Sequence, residues 1–228
     1  MARLSHAVVA ATVASTLAIQ LVLTSTGGAD ANSGVVDPTV GLEVRFARLF
    51  SYFTVLSNIL VGVTSVMLAI RPQRDSAVWR VVRLDALLGI IATGVVFHLL
   101  LAPILDLAGW AYVATLGFHY ATPILAVAVW LIFGPRPTMS ASTLAWACLW
   151  PAAWLLFTFV RGEATGWYPY PFLDAGKLGL ATALINSGLV LVGAAVVAAV
   201  LLLVDRLLPA PLRPQPDSPT PARVRSAG

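Results

Sequence analysis

Charged residues cut this chain into long apolar runs. Six intervals between consecutive charged positions hold 20 or more residues: Arg3 to Asp30, Arg48 to Arg71, Asp85 to Asp106, Asp106 to Arg136, Arg136 to Arg161 and Lys177 to Asp205. About 20 apolar residues in a helix cross the hydrocarbon core of a bilayer. Trimmed to their apolar parts, the intervals predict spans near 4–26, 49–70, 84–105, 112–133, 142–161 and 180–204. The runs are too long and too evenly apolar for surface-lying amphipathic helices, and they lack the period-two alternation of a membrane barrel. The predicted fold class is therefore all-α, a polytopic membrane protein built as a bundle of six transmembrane helices over residues 1–205. Beyond it, Pro209, Pro211, Pro214, Pro216, Pro219 and Pro221 alternate with polar residues. That composition predicts a disordered Pro-rich cytoplasmic tail over 206–228.

Composition agrees. Of the 228 residues, 59% are hydrophobic and 11% charged, against about 25% charged in ordinary globular chains. So few charges cannot cover the surface of a water-soluble domain. A single cysteine, Cys148, excludes a disulfide scaffold. The 14 Lys and Arg residues divide unevenly between the two sides. With the N-terminus inside, ten lie on inner segments (Arg3, Arg71, Arg74, Arg80, Arg83, Arg136, Arg206, Arg213, Arg223, Arg225) and four on outer ones (Arg45, Arg48, Arg161, Lys177). The excess of positive charge predicts a cell-membrane protein with both termini cytoplasmic. Anchoring against anionic lipid accounts for the net charge of +4 and calls for no nucleic-acid partner. Ala29-Asp30-Ala31 resembles a signal-peptidase site, but the run from Ala7 to Val22 is long for a signal peptide, so the first helix is expected to be retained.

Polar residues within apolar spans carry the chemical information. Gln20, Thr54, His98, His119 and Asn186 each lie about 8–11 Å below the outer hydrocarbon boundary at 1.5 Å per residue, on five different helices. One polar layer with a shared cavity in the outer half of the membrane is the economical account. Ser51, Thr54, Asn58 and Ser65 form one stripe; Thr115, His119 and Thr122 share a face, as do Thr182, Asn186 and Gly193. The plainer reading is that small and hydroxylated residues line helix contacts, and that His119 is bonded across helices. No Asp or Glu lies within a span interior, which leaves a proton relay little to work with. His98 and His119 lack a third ligand, so no metal is expected. No phosphate-binding, dinucleotide-binding or nucleophile-elbow motif occurs, and no cofactor is expected.

What remains is hydroxyl plus imidazole. A histidine within hydrogen-bond reach can activate a threonine hydroxyl by taking its proton and returning it to a leaving group. Thr54 and His119 lie at matching depth on helices of the same direction, which permits acyl transfer or ester hydrolysis on a membrane lipid.

Three segments are familiar together: Phe50 to Asn58 (FSYFTVLSN), Gly117 to Pro123 (GFHYATP) and Thr165 to Leu173 (TGWYPYPFL). Over roughly 1–205 the chain resembles the androgen-inducible six-span membrane family, whose animal members are threonine hydrolases of fatty acid esters of hydroxy fatty acids. The resemblance implies Thr54 as nucleophile and His119 as the essential histidine. It departs at Thr115 and Leu116, where the animal proteins carry a second histidine. Asn58, His98 and Asn186 are the expected substrate and oxyanion contacts. Trp167, Tyr168 and Tyr170, on an outer loop, are expected either to anchor at the interface or to cover the polar layer. The expected partner is a membrane lipid or a lipid-like amphipathic molecule. The alternative is a non-enzymatic protein that binds or passes such a molecule.

Overall fold

The computed structural model describes residues 1–37, 39–136 and 138–208. The expected tail lies outside the described residues, except where it prolongs the last helix. In chain order the helices are α1 (Ala2–Thr26), the short α2 (Leu42–Leu49), α3 (Phe53–Ile70), α4 (Ala77–Ile104), α5 (Gly109–Phe133), α6 (Ala141–Thr165), the single turn α7 (Ala175–Leu178) and α8 (Leu180–Leu207). There is no strand among the described residues. Six of the helices, all but α2 and α7, are long and apolar enough to cross a membrane.

The helices depart from the predicted spans mainly at their ends. α3 starts at Phe53 rather than 49, because a turn at Phe50–Tyr52 separates it from α2. α4 starts at Ala77 rather than 84, where Ser76 Oγ caps it by accepting the Trp79 N–H. α6 starts at 141 under a similar Ser140 cap and runs to Thr165, and α8 runs to Leu207. Apolar length reports what the membrane covers; caps and glycines decide where a helix ends.

α1 packs along α3 and against α5, and α3 packs along α4. Tyr52, Val55, Phe97, Leu101, Trp154, Tyr170 and Leu173 form one half of the core, beside the start of α3. Val9, Val13, Val61, Ile90 and Val129 form the other half. α8 is peripheral: 11% of its most apolar stretch is buried, against 44% for α3. It touches α4 and the turn at 171–173. At its C-terminal end the fully buried Asp205 Oδ2 accepts from the N–H groups of Thr138 and Met139, both at 2.8 Å. The loops after α1, α4 and α6 gather at the opposite end, where they line one cleft.

Two helices widen into π turns at matching places. In α4 the turn spans Phe97–Leu101, and the Ala102 N–H reaches Phe97 O; in α5 it spans Gly117–Ala121, and the Thr122 N–H reaches Gly117 O. Each donor directly precedes a proline, Pro103 or Pro123. A proline lacks the N–H for the carbonyl four residues back, clashes with that carbonyl and disfavours helical geometry in the residue before it. A wider turn relieves all three. His98 and His119 both sit within these turns.

Candidate functional site

Thr54 lies in the first turn of α3, buried to 3% exposure. His119 is 1% exposed on the π turn of α5. The two helices bring Thr54 Oγ1 and His119 Nε2 to 3.4 Å, which is long for a hydrogen bond but within the range of a site without substrate. On the other side of the imidazole, Nδ1 lies 3.2 Å from Thr115 O. A carbonyl can only accept, so Nδ1 carries the proton and Nε2 presents its lone pair to Thr54. Phe97 stacks on the imidazole at 3.8 Å between centroids and 21° between planes, fixing the plane of the ring.

Tyr170 completes the contacts of the threonine. Its Oη accepts the Thr54 N–H at 3.1 Å and lies 3.1 Å from Thr54 Oγ1. The bonds then run in one direction: Thr54 N–H to Tyr170, Tyr170 O–H to Thr54 Oγ1, Thr54 O–H to His119, His119 N–H to Thr115 O. Tyr170 is buried beneath a loop that folds back onto α6. Gly166 turns the chain at φ 67°, and Gly162 leaves room for the Tyr168 ring where a Cβ would overlap it. Burial pushes the Tyr170 hydroxyl up to about 12, so it stays protonated at physiological pH.

Asn58, one turn below Thr54, is fully buried. Its amide donates to Thr54 O at 2.9 Å and Phe118 O at 3.3 Å. The second bond ties α3 to the π turn of α5, while the buried Asn58 Oδ1 has no hydrogen-bond partner among the described residues. Gly94 lets α4 approach the same turn: a Cβ there would stand 3.1 Å from His119 O.

The expected polar layer divides. Ser51, Thr54, Asn58 and Ser65 all face inward, as do Thr115, His119 and Thr122. His98 does not join them. It is exposed on the outside of the bundle, where its Nδ1 lies 3.2 Å from Tyr120 Oη. Asn186 is half-buried and donates to Phe172 O at 2.9 Å, so it holds the Tyr170 loop rather than lining the site. Thr182 and Gly193, expected on its inward face, are exposed; Ala183 and Ser187 face the bundle instead. Gln20 binds the loop after α1, accepting from Ala31 N at 3.0 Å. Trp167 and Tyr168 line the cleft formed by the loops after α1, α4 and α6. The stretch resembling a signal-peptidase site is built into the packing. Ala31 is fully buried, and its carbonyl accepts from Thr115 Oγ1 at 2.6 Å.

Thr54 faces a narrow apolar crevice of about 80 Å³. α3, α4, α6, α8 and the turn after Tyr170 form its walls, with Thr93, Phe97, Trp154, Leu173 and Leu191 among them. Among the described residues no cluster of three or more His, Cys, Asp or Glu could hold a metal ion. The arrangement has the elements of nucleophilic acyl transfer: a hydroxyl, a base in the required tautomer, a group orienting the base and an apolar slot. Neither a protein-family description, nor a curated protein, nor a solved structure matches this chain.

Proposed function

We propose that this multi-pass protein of the cell membrane, with both termini cytoplasmic, hydrolyses an acyl ester of an amphipathic lipid. Thr54 is the nucleophile and His119 the general base. The observation that carries this reading is the placement of the imidazole: Nδ1 lies 3.2 Å from Thr115 O, which can only accept, and this leaves Nε2, 3.4 Å from Thr54 Oγ1, as the acceptor. Thr54 Oγ1 attacks the ester carbon while its proton passes to Nε2. The imidazolium returns that proton to the departing alkoxide, which leaves an acyl-threonine. Water attacks the acyl group with His119 again as base, releasing the fatty acid and restoring the hydroxyl. The Tyr170 hydroxyl is the nearest donor to an oxyanion formed beside Thr54, and one such donor contributes about 10²–10³ in rate. The apolar crevice suits an acyl chain, and the three segments in FSYFTVLSN, GFHYATP and TGWYPYPFL favour kinship with the androgen-inducible six-span family.

A lipophilic fluorophosphonate probe tests the reading. Wild type and Thr54→Ser should be labelled and Thr54→Ala should not, with the adduct on the peptide that contains Thr54. Labelling confined to another residue would remove the mechanism. The crevice also supports a second reading, a binder of amphipathic molecules without chemistry. Turnover of no ester by wild type, with ligand binding retained in Thr54→Ala, would favour it.

A further inference from the structure

Beside the crevice lies a second, larger compartment of about 660 Å³, formed by the outer loops. Tyr52 lines this cleft and Tyr170 the crevice, their rings meeting edge to face at 5.7 Å; Leu101 lines both. The nucleophile therefore stands at a boundary between an apolar slot and a polar basin.

Three basic side chains, Arg45, Arg48 and Lys177, line the basin together with Asp30, Asp37 and Asp174; Lys177 pairs with Asp174 at 3.1 Å, whereas the guanidiniums are more weakly answered. Arg48 lies 5.4 Å and Arg161 4.9 Å from the centroid of the Trp167 indole. Arg48 meets Asp37 in one long contact of 3.3 Å, with both side chains about a third exposed. Its buried Nε has no partner among the described residues. Arg161 makes no ion pair among the described residues. Among the described residues Arg45 reaches only the neutral carbonyls of Val40 and Thr24. Two guanidiniums drawn to one indole repel each other, and a shared anion relieves that repulsion. Asn32 also lines the cleft; it is 2% exposed, and its buried Oδ1 has no partner among the described residues, an acceptor suited to a hydroxyl.

We propose that this cleft holds the phosphate-bearing head group of a glycerophospholipid while one of its acyl chains occupies the crevice at Thr54. The inference rests on the Thr54 reading and names its substrate class. A cleft of this volume matches a whole polar head group rather than a lone carboxylate. In a glycerophospholipid the acyl ester is a few bonds from the phosphate, which is the spacing that adjoining compartments require. The acyl C–O bond breaks; water supplies the hydroxyl of the fatty acid and the proton of the glycerol oxygen. The products are a fatty acid and a lysophospholipid.

The test measures binding to Thr54→Ala protein in detergent, so that turnover does not intervene. The probes are dihexanoyl phosphatidylglycerol, the diacylglycerol with the same chains, and free glycerol phosphate. Phosphatidylglycerol should bind more tightly than diacylglycerol. Adding Arg48→Gln or Arg161→Gln should weaken it about tenfold or more, the worth of one charge-assisted bond, with diacylglycerol affinity unchanged. Arg161, half-buried against the Trp167 ring that lines the cleft, carries the test should Arg48→Gln fail to fold. Equal affinity for phosphatidylglycerol and diacylglycerol would overturn the proposal. Free glycerol phosphate binding as tightly as the lipid would also overturn it, in favour of a soluble phosphate ligand. Arginine-dependent phospholipid binding by a wild type that leaves the lipid intact would keep the head-group site and remove the hydrolytic reading instead.

Discussion

Tyr170 and Thr54, 116 residues apart, share two contacts: the tyrosine oxygen takes the threonine N–H and lies against its hydroxyl, each at 3.1 Å. The phenol thus fixes the rotamer of the hydroxyl and is the donor closest to it. Tyr170→Phe keeps the ring, which stacks on Phe172 at 5.4 Å and meets Tyr52 edge-on. Stability should fall by about 1 kcal/mol, while kcat for a lipid ester falls about 10²-fold. Thermal denaturation and steady-state kinetics on one preparation separate the two effects.

In the proposed mechanism the threonine and histidine act as a unit. Thr54→Ala and His119→Ala should each abolish most ester turnover, and the double variant should be no worse than either. Thr54→Ser should retain measurable activity. Multiplying losses in the double variant would show that the residues act independently.

The π turn of α5 depends on close packing by glycine. A Cβ at Gly117 would overlap the Thr16 side chain of α1. Gly117→Val should therefore push α1 and the turn apart, with a loss of about 1–3 kcal/mol from overpacking. Activity should fall further than stability alone explains, because His119 moves with the turn. Thr16→Ala in the same chain should restore part of both.

The loop near Ser76 is expected in the cytoplasm. On a Cys148→Ser background, a cysteine replacing Ser76 should react with a membrane-impermeant maleimide only after the cells are opened. One replacing Ser33 should react in intact cells, though slowly, because the loop packs on α1.

Asp30, on the loop after α1, is held above its usual carboxylate range chiefly by burial, against hydrogen bonds from Asn32 and Ser33 that pull it down. The folded state thus binds a proton more readily than the unfolded state, whose value lies near 3.8. Asp30 should contribute a stability that rises as pH falls from neutral toward that value and is lost as pH rises through the folded pKa. Asp30→Asn should flatten the acid side of the curve of melting temperature against pH.

The six spans were legible because charges are scarce enough to mark their limits. Thr54, Asn58, Thr115 and His119 were legible as inward positions because helical periodicity holds along those stretches. Depth alone misled at His98 and Asn186, since equal height says nothing about the direction a helix turns its side chains. On α4 a local signal existed: Pro103 stands two residues beyond the π turn, as Pro123 does on α5, and a widened turn shifts the face on which each histidine emerges. The bond from Tyr170 to Thr54 left no periodic trace. It depends on a loop folding back across the bundle, and only the glycines at 162 and 166 hint at that return.

The site also has an order of assembly. The nucleophile is translated first, its base 65 residues later and its phenol partner 116 residues after it. Asn186, which holds the phenol's loop, follows on the final helix. A ribosome that has delivered only the first three spanning helices has placed a lone threonine in the bilayer with no base to activate it. On the proposed mechanism the nascent chain lacks its base until the fourth spanning helix is made, and the phenol's loop is held only when the last helix follows, so the order of synthesis itself delays the chemistry.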